Sequence, residues 1–307
     1  MGDASRAVLV AVLILLVGCG GPASAPARTG ATTEPTTVTP APVPTDTPST
    51  FLAPGVTPRG VVNPVALVAA HERALRRTSV TVRFEESRRY ANGSLRWRRT
   101  ATQRIDVDSD ADRPIRSRYT SELRGSAPTG DLPSAFVRFP DTTRVERYTV
   151  DGGAYHRYRL RSGGVWYVGG TADEVRPLDP GLFLLFRSVE TRVVGREAGA
   201  GPTRYRLSGA EVTDPAALGR ALGVGRFARI GNVSFVATVD ARGTVREYRL
   251  IYTLAGADGV LLRGRESTRL TDLGETTVER PDWYGDAVNA TGEWGGDRAE
   301  DGNDEGE

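Results

Sequence analysis

Cysteine occurs once in this 307-residue chain, at Cys19; histidine occurs twice, methionine once and lysine not at all. A lone cysteine excludes an intramolecular disulfide and any metal site built from several thiolates. The two histidines, His71 and His156, offer little for general-base or metal chemistry. His71 falls in an apolar helical stripe, the setting of a packed core histidine. His156 stands in a strand between Tyr155 and Arg157, as a sheet-face residue. No HExxH, GxSxG, CxxC or phosphate-loop pattern is present. Gly223-Val224-Gly225 ends a helix where a dinucleotide fingerprint would open one. Asp106, Asp108, Asp110 and Asp112 alternate, but the glycine and the closing glutamate of a calcium loop are missing. No catalytic residue, metal or cofactor is therefore expected, and no enzymatic activity.

Charge is nearly balanced: 40 basic residues, all arginine, against 38 acids give a formal +2. Asp297 to Glu307 holds six acids and Arg298, so the rest of the chain is modestly positive. Its arginines are spread along the sequence, and nucleic acid is not an expected partner.

The N-terminus carries the most specific signal. Residues 7–18 read AVLVAVLILLVG, an apolar run of 12 residues behind one arginine. A membrane-spanning helix needs roughly 20 apolar residues and a signal-peptide core about 7–15. The run ends Leu16-Val17-Gly18-Cys19, which resembles the lipobox of prokaryotic lipoproteins: aliphatic, small, then the cysteine that receives lipid. The resemblance implies a signal peptide over residues 1–18, lipid on Cys19, and a place on the extracytoplasmic face of the cell membrane. Residues 19–59 follow as a Thr/Pro-rich stalk: Gly20–Pro58 holds nine of the 19 prolines. Such a composition buries too little surface to fold. The expected globular domain spans residues 60–285, followed by an acidic disordered tail over 286–307.

Within the domain, period-two alternation dominates. Val80, Val82 and Phe84 alternate with Thr81, Arg83 and Glu85, and Ile115 to Arg124 repeat the pattern. Leu95, Trp97, Ala101, Ile105 and Val107 share a face of the run between them. Asn92-Gly93 predicts a type I′ hairpin, and Asp151-Gly152, Ser162-Gly163, Arg242-Gly243 and Asp258-Gly259 predict further turns. Three helices interrupt the strands. Asn63-Pro64 caps the first, which runs to about Arg77; Asp179-Pro180 opens the second, through Phe186; Asp214-Pro215 opens the third, stopped by Gly223. The expected fold is α+β: a curved antiparallel sheet, a half-open β-barrel, with about three short helices on its concave side.

The second helix is unusual, because Leu182, Phe183, Leu184, Leu185 and Phe186 leave it no polar face. One side can pack on the sheet; the other needs a second protein layer or an apolar ligand. Val82, Phe84, Trp97, Ile105, Tyr119, Leu182, Phe183 and Phe186 are the candidate lining of a hydrophobic site. Asn92, Asn232 and Asn289 head candidate N-glycosylation sequons.

The lipobox, the stalk, the segment Gly60–Leu75 and the closing Gly274–Tyr284 resemble an uncharacterised lipoprotein family of halophilic archaea. The order of elements also resembles the lipoprotein-carrier and mycobacterial-type lipoprotein superfamily, whose half-open barrels hold acyl chains under a helical lid. That likeness implies a lipid or other hydrophobic ligand. The alternative is a cell-envelope structural or interaction lipoprotein with no small ligand.

Overall fold

The computed structural model describes residues 50–108, 113–127, 136, 139, 141–172, 181–199, 201–224, 229–256 and 259–292. The expected signal segment, Cys19, the stalk up to residue 49, Asp110, Asp112, the Asp179-Pro180 helix start and the tail beyond Gly292 lie outside them.

Alternating residues build long strands that pair antiparallel throughout. They are β3 (Val80–Tyr90), β4 (Leu95–Asp108), β5 (Arg113–Gly125), β6 (Thr142–Val150), β7 (Gly153–Leu160), β8 (Val165–Thr171), β9 (Val189–Glu197), β10 (Arg204–Val212), β11 (Arg229–Asp240), β12 (Val245–Ala255) and β13 (Leu261–Thr271). Together they form one open, curved sheet of 11 strands in the order β8-β7-β6-β5-β4-β3-β13-β12-β11-β10-β9. Two meanders, β3 to β8 and β9 to β13, are thus joined side by side where β3 pairs with β13. A small ribbon, β1 (Val56–Thr57) with β2 (Gly60–Val61), docks through the Val61 N–H, which donates to Thr191 Oγ1 at 3.0 Å.

The turn chemistry differs from the sequence expectation at one site. Asn92 keeps a negative φ and Gly93 alone turns positive, at 84°. Tyr90 N–H donates to the Ser94 carbonyl and Gly93 N–H to the Tyr90 carbonyl, so this is a longer turn with a glycine bulge and not a type I′ pair. The Asn92 side chain explains it: Oδ1 accepts from Ser94 N–H and Oγ, at 3.0 and 2.7 Å. Asp151-Gly152, with φ of 48° and 77°, has the two positive angles that a type I′ turn requires.

Four helices are present among the described residues. In α1 (Pro64–Arg76) the Asn63 side chain accepts from Ala66 N–H at 3.0 Å; in α3 (Pro215–Ala221) Asp214 accepts from Ala217 N–H at 2.8 Å. Between them in sequence lies α2 (Leu182–Ser188). These three cover one face of the sheet, here the inner face, over Phe235, Tyr248, Leu250 and Leu254. The fourth, α4 (Tyr284–Thr291), packs on the opposite face. The Tyr284 ring there lies 5.4 Å from Tyr148 and 5.0 Å from Tyr155, and Trp283 and Ala287 are buried.

Packing contacts continue at both ends of residues 60–285. The helix α4 crosses the expected start of the acidic tail at residue 286, because Tyr284, Ala287 and Val288 form an apolar stripe among the acids. At the other end, Ala53 and Val56 are buried in the main core, so the packed chain begins inside the proline-rich segment. Leu95 also departs from its expected face. A bulge between Arg88 and Arg89 sets it opposite Arg89, and it stays exposed.

Candidate functional site

The register places Val82 and Phe84 of β3, Trp97 and Ile105 of β4, and Tyr119 of β5 on the inner face. Leu182, Phe183 and Phe186 come from α2 above that face. The structure separates this expected lining into three environments. Leu182 and Phe186 are buried in the main core, where Phe186 meets Phe235 edge-on at 5.4 Å, and Phe183 packs partly buried against it. Val82 and Ile105 join Leu75, Val80 and Leu270 in a smaller cluster under α1. Phe84, Trp97 and Tyr119 face guanidinium groups instead: Arg99 lies 4.5 Å over Phe84, Arg88 5.1 Å over Trp97, and Arg147 5.7 Å over Tyr119.

The middle of the inner face is therefore a buried strip of charge. Two adjacent rows cross the strands: Trp97–Arg88–Gly264–Tyr252 and Arg99–Glu86–Glu266–Leu250. Arg99 Nη2 lies 3.2 Å from Glu86 Oε2, Arg88 Nη2 lies 3.7 Å from Glu86 Oε1, and the Tyr248 hydroxyl donates to Glu266 Oε1 at 2.8 Å. Arg88 also reaches the cover, since its Nη2 donates to the Leu222 carbonyl at the end of α3, at 3.0 Å. Gly264 makes the strip possible: a Cβ there would fall 2.1 Å from the Tyr252 ring, which lies flat over it.

Sequence reading missed Glu86, Arg88, Arg99 and Glu266 as inner-face residues, although a signal was present. Each continues the alternation of an inward strand at steps of two: Val82, Phe84, Glu86, Arg88; Trp97, Arg99, Ala101; and Leu262, Gly264, Glu266.

A gap of about 10 Å³, room for about one water, lies among His71, Leu75, Leu182, Tyr248 and Leu270. His71 is buried and accepts from the Val245 N–H through Nδ1 at 3.2 Å. The outer face carries a larger feature, a polar groove of about 640 Å³ that crosses from β4 to β9. The three sequon asparagines are exposed, Asn92 and Asn232 on strand turns or bulges and Asn289 on α4. No cluster with metal-ligand composition occurs among the described residues.

The model of a family of unknown function, DUF7537, matches residues 5–287. The chain belongs to that family. No curated protein matches this DUF7537 member. Among solved structures it is similar to a Vibrio parahaemolyticus domain given as an outer membrane lipoprotein-sorting protein. The identity is 11%, with 72% of this chain and 97% of that one covered, at a TM-score of 0.23. It is also similar to a DUF1329 family protein from Desulfovibrio piger, at 11% identity, with 71% and 96% covered and a TM-score of 0.23. The fold assignment rests on the strand order itself.

The buried strip gives this DUF7537 chain a distinct pH response. Glu266 is pushed up to about 8, first by burial and then by the Glu86 carboxylate opposite it. The Tyr248 hydrogen bond and the charges of Arg99 and Arg88 act the other way without cancelling the rise. The folded chain thus keeps a proton that the unfolded chain releases near 4.5. Its stabilisation is complete below that value and is lost as pH rises through about 8. Glu266→Gln has no proton to lose, so its melting temperature should fall less than the parent's across this range. Equal slopes by calorimetry would contradict the assignment. His71 works on the acid side: burial lowers it to about 4, so its contribution is lost as pH falls from 6.5 through that value.

Proposed function

We propose that this chain is a lipid-anchored, extracytoplasmic binding protein that holds a lipid or other hydrophobic ligand between its inner sheet face and the helices over it. The observation that carries the reading is the cover itself. An 11-stranded sheet is closed on this face by helices of 13, 7 and 7 residues. The middle one, α2, is apolar from Leu182 to Phe186 and leaves Phe183 and Leu184 half-buried on the side that also carries the exposed Arg187. Leaving such side chains in water forfeits about 1.5–3 kcal/mol each relative to full burial. A ligand chain lying against them recovers part of that energy.

The gap of about 10 Å³ beside Leu182 has room for about one water, so a ligand chain entering there needs α2 to move away from the strands. The helix α2 starts at Gly181, with φ of 85° and no capping side chain, and α3 is tied to β3 through Arg88 and Leu222. The Arg–Glu strip suits the polar end of an amphiphile. The motif Leu16-Val17-Gly18-Cys19 supports lipid on Cys19, and the Pro/Thr-rich stretch after it supports a stalk lifting the domain off the membrane.

A second reading, an envelope structural or interaction protein, draws on the packing of Leu182, Leu185 and Phe186 against protein. One experiment separates the two. Phe183→Leu should lower melting by no more than about 2–4 °C, the shift of a 1 kcal/mol change in a domain of this size. Phe186→Leu should lower it further. Both should weaken binding of a fluorescent phospholipid at least fivefold in a titration. Absence of saturable binding by the parent protein would favour the structural reading.

A further inference from the structure

We propose that the outer face carries a second binding site, specific for ligands with several closely spaced oxyanions, phosphate or carboxylate. The site is the groove of about 640 Å³ whose floor is formed by β3, β13, β12 and β11, with β4 on one flank and Arg206 of β10 and Glu197 of β9 on the other. It lies on the face opposite the proposed hydrophobic site and is independent of that reading.

The charge distribution points to an anion. On this face some arginines are neutralised by a neighbouring carboxylate: Arg98 by Glu85 at 3.1 Å, Arg144 by Glu122 at 2.9 Å, and Arg269 by Glu247 at 2.8 Å. Arg83, Arg206, Arg249 and Arg265 are different. All four line the groove, all are exposed, and none has an ion-pair or hydrogen-bond partner among the described residues. The register sets Arg83 directly opposite Arg269, and Arg249 beside Ser267, which stands midway between Arg265 and Arg269. Neighbouring strands are about 4.8 Å apart, so these guanidinium groups repel one another across the groove floor. An arginine fork pairs with two oxygens of a phosphate or carboxylate, and one ligand carrying several such groups would relieve the repulsion at several arginines at once. Nearby hydroxyls of Thr100, Thr238 and Ser267 supply further hydrogen bonds. A volume of this size admits a ligand of several linked groups, beyond a single inorganic ion.

The test uses the full chain in detergent, titrated calorimetrically with tripolyphosphate and, separately, with citrate, at low salt and again at moderate salt. The site predicts saturable binding of at least one probe, weaker at the higher salt because the charges are exposed. Binding of tripolyphosphate alone would assign phosphate chemistry, and of citrate alone carboxylate chemistry. Arg249→Gln with Arg265→Gln should weaken binding at least tenfold. Arg59→Gln with Arg192→Gln, two exposed arginines outside the groove, removes the same charge and should change it less than threefold. Equal weakening by both pairs would overturn the site in favour of overall charge, as would no binding of either probe at low salt.

Discussion

Arg88→Ala is expected to cost about 3–5 kcal/mol of stability, the range for removing one partner from a buried ion pair. Arg88 is among the largest fully buried side chains, and several interactions end on it. Its charge faces Glu86 at 3.7 Å, its Nη2 donates to the Leu222 carbonyl, and its plane lies over Trp97. Truncation leaves the Glu86 carboxylate, beside Glu266 on the neighbouring strand, with less positive charge to offset it, and it unties the end of α3. The origin of the loss can be checked by replacing the two buried acids as well. Adding Glu86→Gln and Glu266→Gln to Arg88→Ala should recover a large share of the lost stability in chemical denaturation. A triple variant no more stable than the single one would locate the loss in the helix contact and the packing over Trp97.

Cys19→Ser is expected to move the protein from the membrane to the soluble fraction almost completely while leaving the domain's melting temperature unchanged. The thiol is the only one in the chain, so no other residue can carry a thioether-linked lipid. Among the described residues no helix is long and apolar enough to cross a membrane. Fractionation followed by immunoblotting reads the outcome directly. An unchanged membrane fraction in the variant would show that attachment depends on something other than this cysteine.

Local signals in the sequence were enough to locate most elements. Asn63-Pro64 and Asp214-Pro215 cap α1 and α3 as expected, because a side-chain oxygen ahead of a proline satisfies free N–H groups at the helix start. Alternation places the inward residues of β3, β4 and β5 correctly apart from Leu95 at its bulge, since a strand has only two faces. The pairing of β3 with β13 was not legible, because register between segments far apart in sequence leaves no local mark. The helix α4 was hidden for a different reason: acidic residues dominate its neighbourhood, and the stripe of Tyr284, Ala287 and Val288 is short.

The candidate site was legible in part. The expected residues do lie on the inner face and on α2, yet the apolar wall is interrupted by the Arg–Glu strip. Counting only hydrophobic residues along β3 and β4 conceals this, because buried charges are tolerated only as partners of one another, and those partners sit on different strands. The distance from Arg88 to Leu222 is likewise a tertiary fact, visible only once α3 is seated.

The central claim is that the inner face holds a hydrophobic ligand, and native mass spectrometry of the full chain, extracted from its membrane in mild detergent, tests it most directly. The account predicts two mass increments above the polypeptide: a covalent one that survives collisional activation and disappears with Cys19→Ser, and a non-covalent one of lipid mass that persists in that variant and is released on activation. A Cys19→Ser protein that flies without any adduct, and acquires none when mixed with membrane lipid extract, would contradict the carrier reading.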